Sequence, residues 1–258
     1  MCDTCGCGEN DHQFTMISEN MEQHHDHGDH GDAQAHSHGH SHGHSQEKQI
    51  QVETDILSKN NLLAERNRGY FEAKNIFVIN FVSSPGSGKT TLLERLIDKT
   101  KSKKSLFVIE GDQQTDYDAK RIKAAGASSL QINTGNGCHL DAHMINHAVN
   151  ELKPAEHSLL FIENVGNLVC PALFDLGERL RIVVASTTEG EDKPLKYPTM
   201  FQSAQICVLN KIDLIPHLDF NEEIFYDNLK MVNPDIHLVP LSAKTGEGID
   251  ALVSMILE

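Results

Sequence analysis

A glycine-rich loop between an apolar run and a helical pattern limits the possible folds of this chain more than any other feature. Residues 76–82 are apolar apart from Asn80, and a helical pattern begins near Thr91. Between them stand Ser83, Ser84, Pro85, Gly86, Ser87, Gly88, Lys89 and Thr90. This order fits the phosphate-binding loop pattern, with Ser83 in place of its first glycine. An ordinary turn is the alternative, which the succession of strand, loop, Gly-Lys-Thr and helix disfavours.

The residue types in this loop match the chemistry of nucleotide phosphates. Glycines let backbone N–H groups converge on the phosphates, and the following helix adds its favourable dipole. We expect Lys89 to reach the β- and γ-phosphates and Thr90 to bind Mg²⁺. The predicted nucleotide contacts in this loop are Ser84, Pro85, Gly86, Ser87, Gly88, Lys89, Thr90 and Thr91.

The rest of the chain beyond residue 75 alternates between strand-like and helix-like segments. The apolar runs lack strict alternation, which is typical of strands buried on both faces of a parallel sheet. They span 76–82, 105–109, 158–162, 180–185, 205–209 and 236–241. The helical stretches span 89–100, 117–125, 139–152, 221–231 and 248–257. This alternation predicts an α/β fold with a doubly wound, mostly parallel sheet and right-handed crossovers.

Composition divides the chain into three parts. Residues 1–50 hold ten of the sixteen histidines and three of the six cysteines, with few aliphatic residues. Such a segment buries too little apolar surface to offset the entropy of ordering it, so we expect a mostly disordered metal-binding tail. Helical spacing of apolar residues predicts a connecting helix over 51–75, beginning near Gln49. Residues 76–258 then form one globular domain.

The charge balance and the missing targeting signals exclude several functions. A formal charge of -15 disfavours a nucleic-acid binder, which needs a basic face. No stretch approaches the ~18 apolar residues of a membrane span, and the N-terminus does not resemble a signal peptide. We therefore expect a cytoplasmic protein, whose cysteines stay reduced and available to metals.

A second motif indicates which base is bound. Asn210, Lys211 and Asp213 follow the apolar run 205–209 in the guanine-reading order Asn-Lys-x-Asp. Asp213 would accept hydrogen bonds from guanine N1–H and the exocyclic amine, and adenine would leave that carboxylate unpaired. Lys211 would pack over the base, and Asn210 would tie this loop to the phosphate loop. The companion base-contacting loop is predicted at Ser242, Ala243 and Lys244. The sequence therefore favours GTP over ATP.

Two further carboxylates follow strands near the predicted phosphates. Glu163 and Gly166 resemble the switch pattern Asp-x-x-Gly with Glu in place of Asp, so Glu163 would hold Mg²⁺ directly or through water and the Gly166 amide would sense the γ-phosphate. Asp112 would contact Mg²⁺ or orient the attacking water, with a helix-capping or turn carboxylate as the alternative. The predicted catalytic residues are Lys89, Thr90, Asp112 and Glu163. No glutamine is assigned to the water.

Soft metal ligands occur in two groups within the tail. Cys2, Cys5 and Cys7 place three thiols within six residues, which suits Ni²⁺ with the N-terminal amine, or Zn²⁺ with a histidine. Unliganded thiols are the remaining alternative. Nine histidines between His24 and His44 are interleaved with Gly, Ser, Asp and Ala. Such a tract binds several Ni²⁺ or Zn²⁺ ions with modest affinity and is also compatible with a solvated linker.

A third group lies inside the domain. Cys138 and His139 open the predicted helix 139–152, and Cys170 follows Gly166 by four residues, which suggests a metal site. His143 and His147 would share a helical face with His139. A buried cysteine and a solvated histidine face are the plain alternatives. Cys207, inside an apolar run, is interpreted as a core cysteine.

These motifs together resemble the HypB family, the hydrogenase-maturation GTPases of the SIMIBI class of P-loop proteins. The segments that carry the likeness lie at 2–7, 83–90, 110–112, 133–141, 163–171, 188–196 and 210–213. The resemblance implies a nickel-loading GTPase that forms a GTP-dependent homodimer and cooperates with the zinc-containing accessory protein HypA and the hydrogenase large subunit. Two other functions remain open: a urease-accessory nickel GTPase, and a nickel or zinc storage protein with a regulatory G domain.

Overall fold

The computed structural model of this chain describes residues 15–17, 44–112, 117–135 and 137–257. Its strands, in chain order, are β1 (Thr15–Ile17), β2 (Phe77–Ser83), β3 (Leu106–Asp112), β4 (Ser128–Asn133), β5 (Leu159–Gly166), β6 (Leu180–Ser186), β7 (Ile206–Asn210) and β8 (His237–Pro240). They form one sheet in the order β1-β4-β3-β5-β2-β6-β7-β8. Strands β2 to β8 are parallel, and β1 pairs antiparallel with β4 at the edge. The predicted doubly wound α/β class is confirmed.

Helices follow most of the strands. They are α1 (His44–Ala73), α2 (Lys89–Thr100), α3 (Tyr117–Ala125), α4 (Ala142–Leu152), α5 (Cys170–Leu173), α6 (Lys193–Lys196), α7 (Pro198–Gln202), α8 (Glu222–Val232) and α9 (Ile249–Leu257). Two 3₁₀ turns lie at Thr187–Glu189 and Ile212–His217. Among the described residues, no helix combines the length and apolar character needed to cross a membrane.

The sheet is covered on both faces, as its apolar strands predict. Along β5, Leu160 and Ile162 pack in the core shared with α1 and α4, whereas Phe161 packs in the core shared with α2 and α9. A third core lies against β6 and β7 under α7 and α8. Successive strand residues point to opposite faces, so the next two residues of β5, Glu163 and Asn164, also face opposite ways. This alternation decides which side chain reaches which site.

Two strands were not predicted. Four of the six β4 residues, Ser-Ser-Leu-Gln-Ile-Asn, are polar, and Gln131 among them is buried all the same. Strand β1 lies within the tail expected to be mostly disordered, where three residues pair with residues 131–133 of β4. Edge pairing uses backbone hydrogen bonds, which composition does not reveal.

The long helix begins earlier than predicted and the fourth helix begins later. Helix α1 crosses the boundary predicted at residue 50, and no side chain is described before Thr54. Helix α4 begins at Ala142 because Asp141, with extended backbone, accepts a hydrogen bond from the Met144 N–H at 2.7 Å. His139 therefore precedes the helix, and the prediction that it shares a helical face with His143 and His147 was wrong.

Candidate functional site

The glycine-rich loop lies between β2 and α2 and lines a cleft of about 330 Å³. Gly86 has φ +75° and Gly88 has φ +94°, a left-handed backbone that favours glycine. A Cβ at Gly88 would also overlap the Asn210 side chain. The cleft lining extends over 83–91 and adds Glu110, Gly111, Asp112, Arg121, Glu163 and Gly166. The loop, both candidate carboxylates and the candidate switch glycine thus border one cavity.

Three predicted functional side chains meet at the bottom of this cleft. The Thr90 hydroxyl donates to Glu163 Oε1 at 2.7 Å, and Lys89 Nζ lies 3.5 Å from the same oxygen. The Glu163 residue is only 3% exposed, so its carboxylate is largely removed from water. A hydroxyl and a carboxylate are the hard oxygen donors that Mg²⁺ prefers, and a cation there would compensate a buried negative charge. Thr90 and Glu163 therefore suit a magnesium ion.

The candidate switch loop runs directly against the phosphate loop. A Cβ on Gly166 would lie 3.2 Å from Pro85 Cα and 3.3 Å from Pro85 N, a tighter approach than most side chains tolerate. Glycine at this position lets the end of β5 contact the loop backbone. Ser84 of the same loop donates a hydrogen bond to Glu189, whose carboxylate also pairs with Lys193 at 3.2 Å. The end of β5 and the segment at Glu189 therefore both pack against the phosphate loop.

Arg121 lines the cleft and was not identified from the sequence. It lies on α3, donates to both carboxylate oxygens of Glu94 at 3.0 and 2.7 Å, and lies 3.3 Å from Thr91 Oγ1. No motif surrounds it in the sequence, and only the packing of α3 on α2 brings it to the cleft. Asp112, at the end of β3, lines the same cleft and accepts a hydrogen bond from Thr134 N through its backbone oxygen at 2.9 Å.

The predicted base-reading residues are joined to the phosphate loop. Asn210 Nδ2 donates to the Ser87 carbonyl at 2.8 Å, and Asn210 Oδ1 accepts from Ala243 N at 3.0 Å. Lys211 Nζ donates to the Gly86 carbonyl at 2.7 Å. One amide side chain thereby fixes the spacing of three loops.

The carboxylate of Asp213, the predicted guanine-reading residue, is held by the loop 242–244. The buried Ser242 hydroxyl donates to Asp213 Oδ1 at 2.6 Å and also accepts from Thr245 N at 3.1 Å. Lys244, the last of the predicted base contacts, is exposed, and its carbonyl accepts from Arg95. Ser242 therefore orients the Asp213 carboxylate.

The predicted metal residues of the domain come together. One ligand atom from each of Cys138, His139 and Cys170 lies within 4.8 Å of the others, and all three residues are half-buried. The His139 ring stacks on Phe174 with centroids 3.9 Å apart. Thiolate and imidazole donors suit Ni²⁺ and Zn²⁺. We name these three residues the domain cluster.

The other cysteine and histidine predictions have different outcomes. Cys207 is fully buried in β7, and burial raises the pKa of its thiol, as expected of a core cysteine. His143 and His147 are exposed on α4 with their Nε2 atoms 3.1 Å apart. Cys2, Cys5, Cys7 and nearly all of the histidine tract lie outside the described residues.

Comparison with known proteins places this arrangement among nucleotide-binding domains. The family model for the CobW/HypB/UreG nucleotide-binding domain matches residues 77–240. A hydrogenase maturation factor HypB from Rhizobium leguminosarum bv. viciae is 61% identical over 202 residues, which span 78% of this chain and 68% of that protein. HypB from Escherichia coli strain K12 is 46% identical across 97% of this chain and 96% of its own length. The chain spans about two thirds of the R. leguminosarum and Azotobacter vinelandii relatives, at 68% and 66%.

Solved structures show the same architecture. The hydrogenase maturation factor HypB from Archaeoglobus fulgidus superposes with a TM-score of 0.72 at 36% identity, covering 78% of this chain and 98% of that one. HypB from Helicobacter pylori in complex with nickel also gives 0.72, at 38% identity, covering 77% and 94%.

Proposed function

This chain belongs to the HypB family of hydrogenase maturation factors, and from that premise we propose that it is a GTP-hydrolysing nickel chaperone that delivers nickel during maturation of [NiFe]-hydrogenase. The supporting observation is that one short segment, from Glu163 to Cys170, borders both candidate sites. Its first residue contacts Thr90 and Lys89, and its last belongs to the domain cluster. Such a segment is suited to linking a phosphate reaction to metal handling.

The proposed reaction is hydrolysis of GTP to GDP and phosphate. Lys89 would balance charge on the β- and γ-phosphates, and Thr90 and Glu163 would hold Mg²⁺, which supplies further charge neutralisation when bound. Asp112 lies at the cleft and is proposed to contact the ion or orient the attacking water. The Gly166 amide is proposed to sense the γ-phosphate. Guanine would be read by Asp213, with Asn210, Lys211 and the loop 242–244 in support.

The proposed cargo is nickel, with zinc as an alternative ion for the same donors. The domain cluster offers two thiols and an imidazole, and the solved HypB from H. pylori is described as a complex with nickel. Three ligands leave at least one coordination position for a further donor or a receiving protein. Tight nickel binding by Cys2, Cys5 and Cys7, and looser storage by the histidine tract, stay predictions from sequence.

Partners follow from the same premise. We propose a GTP-dependent homodimer, cooperation with the accessory protein HypA and the hydrogenase large subunit, and a cytoplasmic setting. Val169 and Leu173 flank Cys170 with 57% and 51% exposure. Exposed apolar residues beside the half-buried domain cluster support the proposal that a partner associates there.

A second candidate client is urease. A relative from Helicobacter hepaticus, 45% identical over 205 residues, bears the name hydrogenase/urease maturation factor HypB. The same nucleotide and metal chemistry serves either client, so the two differ in the receiving enzyme and not in this chain's sites.

Complementation tests the proposal. A bacterial strain lacking its own HypB would receive the full chain, Lys89→Ala, Cys170→Ala or the control Lys99→Ala, which changes an exposed lysine on the same helix as Lys89. Hydrogenase and urease activities would be measured with limiting and with added nickel.

We expect the unmutated full chain and Lys99→Ala to restore hydrogenase activity at limiting nickel, and Lys89→Ala and Cys170→Ala to fail. Full restoration by Lys89→Ala would contradict the nucleotide role. Restoration of urease alone would identify the second client. Nickel accumulation without restoration of either enzyme would identify a storage protein.

A further inference from the structure

A series of buried polar side chains lies under the domain cluster and takes no part in the reaction proposed above. Its members are Asn80, Asn164, Glu178 and Arg181, with exposures of 0%, 0%, 8% and 7%. Burying such groups costs free energy unless each is hydrogen-bonded, and all four are bonded to one another or to backbone. We name these four residues the buried relay.

Asn164 connects the relay to the segment that carries two of the metal ligands. Its Oδ1 accepts from Leu140 N at 3.2 Å and from Val165 N at 3.0 Å. Leu140 directly follows His139, so this bond fixes the backbone beside the Cys138–His139 pair against β5. Both amide hydrogens it receives would otherwise be buried without that acceptor.

The same strand end supplies the contact to the phosphate site. Glu163 precedes Asn164 and, on the opposite face, accepts from Thr90 at 2.7 Å and pairs with Lys89 at 3.5 Å. A shift of this strand end therefore moves Glu163 and Asn164 together. One strand end thus touches the phosphate loop with one side chain and the metal segment with the next.

The other end of the relay holds the segment that follows Cys170. Asn164 Nδ2 donates to Asn80 Oδ1 at 3.4 Å, and Asn80 Nδ2 donates to Glu178 Oε1 at 3.0 Å. Glu178 in turn accepts from Leu176 N at 2.8 Å and pairs with Arg181 at 2.6 Å. The polar chain therefore continues from β5 through β2 to the loop before β6.

Arg181 completes the support of that loop. It donates to the carbonyls of Ala172 and Phe174 at 3.3 and 2.9 Å, and the Phe174 ring stacks on His139. Burial acts to raise the pKa of Glu178, but Arg181 and Asn80 outweigh it and hold that pKa below its ordinary value. Glu178 is therefore ionised at neutral pH and remains an acceptor for both.

Leu140 gives the segment that carries Cys138 and His139 a second contact with the strand ends that border the phosphate cleft. We name these strand ends, at residues 111–112 of β3 and 163–166 of β5, the phosphate edge. A Cβ on Gly111 would lie 2.7 Å from Leu140 Cγ, so the leucine packs directly on the backbone of β3. Gly111 stands next to Asp112, and both line the cleft. The segment carrying Cys138 and His139 is thus in contact with the ends of β3 and β5.

We propose that Asn164 is a positioning residue that joins the state of the phosphate edge to the geometry of the domain cluster. It fixes the Cys138–His139 segment directly and the loop after Cys170 through Asn80, Glu178 and Arg181. Nucleotide-dependent movement of the β5 end then changes the distances among the three ligands. This inference rests on the proposed function, because it requires that the cluster bind metal and the cleft bind GTP.

The test compares nickel affinity in two nucleotide states. The full chain carrying Cys2→Ala, Cys5→Ala and Cys7→Ala serves as parent, so thiolate-to-nickel charge-transfer absorption reports on the domain cluster alone. Ni²⁺ affinity is measured by chelator competition with GDP and with a non-hydrolysable GTP analogue, and the ratio of the two is the readout. Nucleotide affinities are measured separately without metal.

Three variants separate the contacts. Asn164→Ala removes both links, whereas Asn164→Asp keeps an acceptor for Leu140 N but has no hydrogen to donate to Asn80 Oδ1. Asn233→Ala is the control, since its amide binds the carbonyls of Phe201 and Ala204 at 3.0 and 3.1 Å, near neither site. Melting temperatures report on folding.

We expect Asn164→Ala to bring the affinity ratio about two- to thirtyfold closer to one. Its Ni²⁺ affinity should fall about 10- to 100-fold, as for other groups that orient metal ligands. Nucleotide affinities should stay within about twofold, because Asn164 faces away from the cleft. Asn164→Asp should give a ratio between those of Asn164→Ala and the parent, and Asn233→Ala should match the parent.

The outcomes distinguish a failure of this inference from a failure of the proposed function on which it rests. A parent that shows no thiolate-bound nickel or no GTP binding contradicts the proposed function itself. A parent with equal affinities in both states, or Asn164 variants with the parental ratio, overturns only this inference. If Asn164→Ala does not fold, a parental ratio in Asn164→Asp overturns it equally.

Discussion

The phosphate cleft and the domain cluster border the same strand end but are built in different ways. The cleft is lined mainly by nine adjacent residues, 83–91, whose glycines set the backbone, with Asn210 and Gly166 packed against this run. The cluster joins residues 138 and 139 to residue 170, from two segments with a helix and a strand between them. Local backbone conformation shapes the first site, whereas tertiary packing shapes the second.

The two sites also differ in their donor atoms. Thr90 and Glu163 offer hard oxygen donors on one side of β5, and Cys138, His139 and Cys170 offer sulfur and nitrogen donors elsewhere. Magnesium prefers the former, whereas nickel and zinc favour the latter. One strand end can therefore border two ions of different kinds, because ligand chemistry keeps them apart.

The largest expected effect concerns base recognition by the loop that Asn210 joins to the phosphate loop. Asp213→Asn replaces a charged acceptor with an amide that cannot accept from both guanine groups as the carboxylate does. We expect the preference for GTP over ATP to fall by about 10³- to 10⁴-fold, near the range for sites that lose a buried polar match. Competition binding of both nucleotides checks it. Equal competition by ATP and GTP against the unmutated chain would refute the assignment of the base.

The next effect separates the cleft from the cluster. Lys89→Ala removes the cation facing the phosphates, and we expect GTP turnover to fall about 10²- to 10³-fold, as when one preorganised electrostatic donor is lost. Nickel binding by the domain cluster without nucleotide should not change. Phosphate release is the measurement, and Lys99→Ala is the control. Undiminished turnover in Lys89→Ala would remove the basis for a P-loop reaction.

A smaller effect tests the cluster. Cys170→Ala deletes one ligand and should weaken Ni²⁺ binding by the domain about 10- to 100-fold or more, since even groups behind the ligands contribute that much. Cys207→Ala is the matched control, because that thiol is buried in β7 and remote from the cluster. Chelator competition with the tail cysteines replaced measures both. Equal affinities for the two variants would exclude Cys170 as a ligand.

The contrast between the two sites also explains what the sequence revealed. The phosphate loop and the base-reading loop are contiguous motifs, so their residues and their strand ends were predicted together. The approach of Cys138, His139 and Cys170 was predicted from their residue types and from the position of Cys170 after Gly166, but no contiguous motif fixes how their two segments meet. The π-stacking of Phe174 on His139 depends on the path of the loop after α5, which no local pattern encodes.

The missed elements have a similar cause. Strand β4 was missed because most of its residues are polar, and the burial of Gln131 follows only from its place in the sheet between β1 and β3. Arg121 reaches the cleft through the packing of α3 on α2. No role was predicted for Asn164, although it lies within the segment 163–171, because its partners Leu140 and Asn80 are distant in sequence. Tertiary contacts, and not local propensity, define these features.

The smallest expected effect lies where the two sites meet. Gly111→Ala would place a Cβ 2.7 Å from Leu140 Cγ and 2.9 Å from both of its methyl carbons. The leucine must move away from β3, and such overpacking costs about 1–3 kcal/mol of unfolding free energy. Because Leu140 follows His139, nickel affinity should also fall, by up to about tenfold, at the lower end for a group that supports metal ligands. Thermal unfolding and chelator competition measure the two effects. Gly69→Ala is the control, since its added Cβ on α1 meets no atom within 4 Å. A loss of stability in Gly111→Ala with unchanged nickel affinity would show that β3 supports the fold but does not position the cluster, leaving β5 as the contact between the two sites.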